Sequence, residues 1–170
     1  MKTAAQWIRG LKLAPHPEGG YFREVYRSDE GVSHRALPKR YSGARSFSTA
    51  IYYLLRGRDI SRFHRLASDE IWHFYAGSPL TVHVIDPRGG YQAFHLGVSG
   101  MRAQQPQLVI RKNHWFAATV DNPRLYTLTG CTVAPGFDFS DFEMADGDAL
   151  IRLCPRKATL IRHLTIRGKP

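Results

Sequence analysis

Short stretches in which apolar and polar residues alternate recur along this chain, each closed by a glycine, proline or asparagine turn. The clearest is Leu80 to Asp86, LTVHVID. Leu80, Val82 and Val84 share one face there, with Thr81, His83 and Ile85 on the other, which is the period of a strand. YFREVY (21–26), STAIYYLL (48–55), residues 91–96, 107–111, 115–120 and LYTLTGCTV (125–133) read the same way. So does IWHFY (71–75), whose aromatic and β-branched density suits a pleated surface. Between them stand turn signals: Pro15, Pro17, Gly19 and Gly20; Arg56 to Asp59; Gly77-Ser78-Pro79; Asp86 to Gly90; Asp121-Asn122-Pro123. Residues 28–44 are polar and read as a long loop.

Helical signal is sparse. Thr3 and Gln6 have capping-box spacing ahead of Trp7, Ile8 and Leu11, which predicts a short N-terminal helix. Leu150, Leu153, Leu160 and Ile161 give weak helical spacing in the tail, interrupted by Pro155. Eight or more short strands with so little helix predict an all-β sandwich or barrel. At 170 residues the chain is expected to be one domain over 1–170, large enough to enclose a cavity.

Charge and composition narrow the function classes. Lys and Arg number 24 against 14 Asp and Glu, a formal charge of +10. The excess is concentrated between Arg35 and Arg65, where Asp59 is the lone acid. Such a field attracts nucleic acid, anionic membranes or small anions alike. No helix-turn-helix, zinc-finger or RNP-type motif turns it toward nucleic acid, so a nucleic-acid partner is not expected. No apolar run approaches the ~18–20 residues of a membrane span. The N-terminus lacks the apolar core of a secretory signal, and the C-terminal IRGKP carries no lipidation signal, so a cytoplasmic location is expected. Cys131 and Cys154 have no CxxC context and read as two small buried residues.

The chemistry gathers in HRLASDEIWHFYAG, residues 64–77. Alternation puts Glu70, Trp72 and Phe74 on one face of the strand and Ile71, His73 and Tyr75 on the other. A helical reading would pair Glu70 with His73, but the aromatic density and Gly77-Ser78-Pro79 argue against it. The His64–Glu70–Gly77 spacing resembles the first motif of the cupin superfamily. With PHPEGGYFRE, STAIYYLL, SDEIWHF and VAPGFDFSDFE, the chain resembles the cupin-5-like family, largely of unknown function.

The resemblance implies a cupin jelly-roll β-barrel, its core at about 18–155, dimeric, with a small-molecule ligand inside. It departs from metal-binding cupins. Leu66 stands where the second histidine belongs, and in the second motif, near Gly100 to Ala118, Phe116 stands in the place of the last histidine. Facial metal sites use about three protein ligands. No cofactor is therefore expected, and a divalent metal is open only with His64 and Glu70 as ligands.

Without a metal, a histidine and a carboxylate in one pocket suit general acid–base work. The expectation is an isomerase- or epimerase-like enzyme acting by proton transfer on a small polar, carbohydrate-like and optionally anionic substrate. His64 would be the base and Glu70 the acid or orienting group. Trp72, Phe74, Phe116, Tyr126 and Arg23 are the expected substrate-binding residues. The alternatives are a metabolite-binding cupin without turnover and a metal-dependent cupin enzyme with an atypical ligand set. His16, between two prolines, reads as turn chemistry; His83 and His95 read as structural. Asp138, Asp141 and Glu143 read as a solvated acidic turn rather than a calcium site.

Overall fold

The computed structural model describes residues 2–98, 100 and 103–165. Residues 166–170, to which the IRGKP reading applied, and residues 101 and 102 of the expected second motif lie outside them. Thirteen strands follow in chain order: β1 (Ala14–Pro15), β2 (Tyr21–Arg27), β3 (Gly31–Val32), β4 (Arg45–Ser46), β5 (Thr49–Arg56), β6 (Ile60–Leu66), β7 (Asp69–Gly77), β8 (Leu80–Ile85), β9 (Tyr91–Leu96), β10 (Gln107–Ile110), β11 (Trp115–Val120), β12 (Tyr126–Ala134) and β13 (Phe142–Met144). The helices are α1 (Ala4–Gly10), α2 (Gly147–Leu153) and α3 (Ala158–Leu164). The strands form a six-stranded sheet, β1-β2-β5-β12-β7-β10, a five-stranded sheet, β13-β6-β11-β8-β9, and the small pair β3-β4. All the ladders within these sheets are antiparallel.

The two large sheets enclose one apolar interior. Tyr53, Leu55, Trp72, Leu108, Ile110, Cys131 and Val133 enter it from the first; Leu66, Leu80, Val82, Val84, Leu96, Phe116, Ala118 and Val120 enter from the second. This is the all-β architecture expected from the alternation, and the jelly roll implied by the resemblance. The helices cover outer faces. α1 carries the capping box of Thr3 and Gln6, and Trp7, Ile8 and Leu11 pack over Leu54, Tyr126 and Leu128. α2 and α3 bury Leu150, Cys154, Ile161 and Leu164 against Phe63, Ile85 and Ala117. Both cysteines are free and buried.

The long polar loop is more structured than its sequence indicates. It holds β3 and a 3-10 turn, His34–Ala36, and is tied down by Tyr41 and Arg45. The Tyr41 hydroxyl lies 3.0 Å from Ser68 Oγ. Arg45 makes a two-pronged ion pair with Asp141, both contacts 2.7 Å, and both side chains are 4 % exposed. Asp141 is thus a buried structural anion, which corrects the solvated-turn reading. Asp138 accepts from the Ser140 N–H, and Glu143 pairs with Arg65.

Arg45→Met should leave the Asp141 carboxylate buried without a counter-charge and destabilise the fold by roughly 3–5 kcal/mol. Urea unfolding measures this, and Arg45→Met combined with Asp141→Leu should recover much of the loss. A single-variant loss below about 1 kcal/mol would mean that the pair behaves as a solvated one.

Candidate functional site

The site grows from an irregularity in β6. Against β11, Phe116 is opposite His64 and Ala118 is opposite Ser61, so Arg62 and Phe63 face Ala117 alone. Two residues opposite one is a β-bulge, and a bulge re-aims side chains. It resets the alternation, so that Ser61 and His64, of opposite parity, are both turned toward the same carboxylate. The backbone freed by the bulge is used locally. Arg62 N–H donates to the Glu18 carbonyl at 3.0 Å, and His64 Nδ1 lies 2.7 Å from the Arg62 carbonyl oxygen. A carbonyl only accepts, so Nδ1 carries a proton.

Glu18 belongs to the PHPEGG turn, which is held in place from three sides. Gly19 sits at φ +116°, and a Cβ there would overlap the Ile60 carbonyl, so only glycine lets the turn lie on β6. Tyr53 OH donates to the Gly19 carbonyl at 2.7 Å, and His16 N–H donates to the Gly20 carbonyl. The Glu18 side chain then points inward. Its Oε1 accepts from Ser61 Oγ at 2.8 Å, and its Oε2 is 3.0 Å from His64 Nε2 and 3.5 Å from His16 Nδ1. One proton lies between Glu18 and His64, on the nitrogen or on the oxygen.

Glu18, His16 and His64 line a cavity of about 210 Å³, small beside the pockets of drug-sized ligands. Glu70 and Trp72 contribute from β7, Tyr53 from β5, and Cys131 from β12. Phe22, Phe139 and Phe142 pack around His16, Phe22 4.5 Å from it edge to face, and Phe137 packs on Phe139 and Phe142 at the same cavity. At the same cavity Arg27 is bound by Glu24 at 2.7 Å and donates to the Phe137 carbonyl. Burial first, then the nearby Glu18 charge, raises the Glu70 pKa to about 8, partly offset by the Trp72 and Cys131 side chains. Its carboxyl group is therefore protonated at neutral pH. Burial lowers the His16 pKa, against the pull of Glu18, so its imidazole tends to the neutral form. Burial also pushes the Cys131 thiol well up, so it is not a ready nucleophile.

Of the residues expected from the sequence, His64, Glu70 and Trp72 meet in this cavity. Phe116 lies behind it, its ring 4.0 Å from the His64 ring. Phe74 packs on the interior beyond the cavity, because β7 has moved past it. Tyr126 is not at the site: its hydroxyl accepts from Trp7 Nε1 at 2.9 Å beneath α1. Arg23 is not at the site either, since its guanidinium donates to the Leu11 carbonyl on the outside. His16 corrects the turn-only reading, and Glu18, not Glu70, is the carboxylate that holds His64. The basic excess also fails to reach the cavity. Glu18, Glu24, Glu70 and Asp138 line it against Arg27, the only guanidinium or ammonium group among its described residues.

A metal fits this donor set poorly. Leu66 and Phe116 are apolar where further ligands would stand, and both ring nitrogens of His64 are engaged within the protein. Among the described residues no group of three or more His, Cys, Asp or Glu side chains is arranged to hold a metal ion. Nor is any described helix long and apolar enough to cross a membrane.

The chain is similar in sequence and fold to several known proteins. A solved hypothetical protein from Leishmania major superposes with a TM-score of 0.86 at 34% identity, covering 98% of this chain and 100% of that one. Protein SO0799 from Shewanella oneidensis gives 0.87 and 34%, covering 99% and 100%. An uncharacterised Saccharomyces cerevisiae protein is 29% identical over 94% of this chain and 84% of its own length. Oxalate decarboxylase from Bacillus subtilis shares the fold alone, with a TM-score of 0.54 at 14% identity over 92% of this chain and 37% of that one. The family described as "Cupin superfamily (DUF985)" matches residues 5–145, and the chain belongs to it.

Proposed function

We propose that this cupin is an isomerase- or epimerase-like enzyme that moves a proton on a small polar substrate held inside the barrel. The observation that carries the reading is the presence, in one cavity, of two carboxyl groups in opposite situations. Glu18 is engaged by His64 and Ser61 and has His16 beside it; Glu70 is surrounded by apolar groups and retains its proton. A carboxylate that takes hydrogen bonds from neighbouring donors and a buried carboxyl that keeps its proton divide naturally into acceptor and donor. Glu18 forms the accepting side, with His16 beside it taking the Glu18 N–H on Nδ1 at 3.3 Å. His64, the base expected from the sequence, acts through Glu18, because neither of its ring nitrogens is free to reach a substrate. Glu70 is the donor. A proton leaves one substrate atom for the accepting side and another arrives from Glu70, so the product is an isomer.

The second reading, a cupin that holds a metabolite without turning it over, is favoured by that same engagement of His64. Two further proposals concern setting. The free, buried state of both cysteines suits a reducing, cytoplasmic compartment. The outer face of the six-stranded sheet, where α1 leaves it uncovered, carries exposed Tyr75 and Val109 beside Tyr52 and Ile71, which supports the expected homodimer.

Three measurements test these proposals. Deuterium uptake from heavy water into a panel of small ketoses, aldoses and keto acids should be catalysed by the wild-type protein. Glu70→Gln and His64→Ala should each lower it at least ~100-fold with the circular dichroism unchanged. The rate should fall as pH rises through about 8, where Glu70 loses its proton. Binding of a panel member without any exchange would leave the second reading standing.

Stability supplies an independent check on Glu70. Its folded pKa lies above its unfolded value, so the folded state binds more protons between pH 4.5 and about 8. Wild-type stability should therefore be highest at the acid end of that window and decline toward pH 8, by roughly 5 kcal/mol at most. Glu70→Gln should flatten this slope and be more stable than wild type at pH 9. Equal slopes for the two proteins would refute a protonated Glu70. Light scattering should give a dimer mass, and Val109→Asp should give a monomer. A monomeric wild type would remove the dimer proposal.

A further inference from the structure

Two polar atoms of the cavity are left without a well-formed hydrogen bond, and they are neighbours on one strand face. Glu70 Oε2 and Trp72 Nε1 are fully buried, and although the indole and the Cys131 thiol lean on the Glu70 carboxyl closely enough to draw its pKa down, neither atom completes a well-formed hydrogen bond among the described residues. Other buried polar groups around them are satisfied: Glu18 by Ser61 and His64, Tyr53 OH by Gly19, and Thr129 by the Tyr53 carbonyl. Leaving two such atoms unsatisfied in an apolar interior is costly. An indole N–H can only donate. A carboxyl group that keeps its proton can donate as well. The two therefore suit a single acceptor oxygen placed between them.

The surroundings restrict what carries that oxygen. Glu18, Glu24 and Asp138 line the same cavity, and Arg27 is already paired with Glu24, so among the described residues a phosphate or a second carboxylate has no free cation to meet. Phe22, Phe137 and Phe142 favour a compact, weakly polar body.

We propose that Trp72 Nε1 and the Glu70 carboxyl together seat the carbonyl oxygen of an uncharged small carbonyl compound: a ketone, aldehyde or lactone. The inference rests on the proton-transfer reading, to which it adds the substrate class and a role for Trp72. In the reaction the accepting side removes a proton from the carbon beside the carbonyl. The C–H pair becomes the C=C bond of an enol, and the carbonyl π pair moves to oxygen, which takes the Glu70 proton and keeps the Trp72 hydrogen bond. The enol oxygen then returns its proton to Glu70 as the same carbon takes a proton on its other face, which restores the carbonyl and completes an epimerisation at that carbon with no other reactant. The arrangement converts an unsatisfied pair into a site that binds developing negative charge more strongly than the ground-state carbonyl.

The test uses the full chain labelled with nitrogen-15 and follows the indole N–H signals, that of Trp72 assigned by its loss in Trp72→Phe. Three matched probes are titrated to 50 mM: hydroxyacetone against propane-1,2-diol, cyclohexanone against cyclohexanol, and γ-butyrolactone against tetrahydrofuran. At least one carbonyl probe should move the Trp72 signal downfield and bind about tenfold more tightly than its counterpart. Glu70→Met, which keeps the bulk and removes both oxygens, should abolish that preference. If Glu70→Met fails to fold, Glu70→Gln replaces it, and there the preference should survive, because the amide still donates. Carbonyl probes that leave the Trp72 signal unmoved, or counterparts that move it equally, would overturn the proposal. A moved signal with no deuterium uptake would instead keep the oxygen seat and reject the proton-transfer reading.

Discussion

The bulge at Arg62–Phe63 is the constraint from which the rest of the site follows. It gives β6 one extra residue against β11, and both backbone groups it removes from the ladder find work nearby. The Arg62 N–H fastens the PHPEGG turn through the Glu18 carbonyl, and the Arg62 carbonyl fixes the tautomer of His64. Without the extra residue, Ser61 and His64 would point to opposite faces and could not share one carboxylate. A local departure from regular pairing thus brings together residues 43 positions apart, as the Ser61–Glu18 bond shows.

The cavity is a charge-separating device set in a basic protein. Its ionisable groups are shielded by aromatic rings and by β-strands from the surface where the excess Lys and Arg lie, so their mutual interactions outweigh those with the rest of the chain. Glu18 is surrounded by donors; Glu70 is surrounded by carbon, a thiol and an indole. The difference between two residues of identical type is entirely environmental.

Much of the fold was legible in the sequence because it rests on period-two alternation and on turn residues, both local signals. Residues 80–85 and the turn at Gly77-Ser78-Pro79 are read correctly from composition alone. Trp72 and Glu70 are placed inside by parity. Parity gives no guidance where the strand is irregular, since nothing in ISRFHRL announces two residues facing one. Glu18 was missed for a related reason: a carboxylate between two prolines and two glycines reads as a turn, and only the partner 46 residues on, His64, gives it a second meaning. The one available cue was the coincidence of a rigid turn with two chemistry-bearing residues, His16 and Glu18. Tyr126 and Arg23 were misplaced because both side chains are taken up on the α1 side of the sheet, Tyr126 by Trp7 and Arg23 by the Leu11 carbonyl, partners that no short-range pattern announces. The buried Arg45–Asp141 pair was invisible for want of any short-range pattern linking its halves.

The order of the strands has a consequence in time. β12 lies between β5 and β7, and Ser48 Oγ reaches the Val133 carbonyl 85 residues further along. Pairings so distant in the chain close late and slowly, because a large loop must be ordered before any of them is rewarded. Every wall of the cavity waits on such a closure: Cys131 and Val133 on β12, Phe142 on β13, and Glu18 on a turn that needs β6 already in place. A nascent chain therefore has no partial site. Until the last third of the sequence has emerged and folded back, the chain carries its histidines and carboxylates as ordinary solvated side chains, and the chemistry is withheld until the barrel is whole.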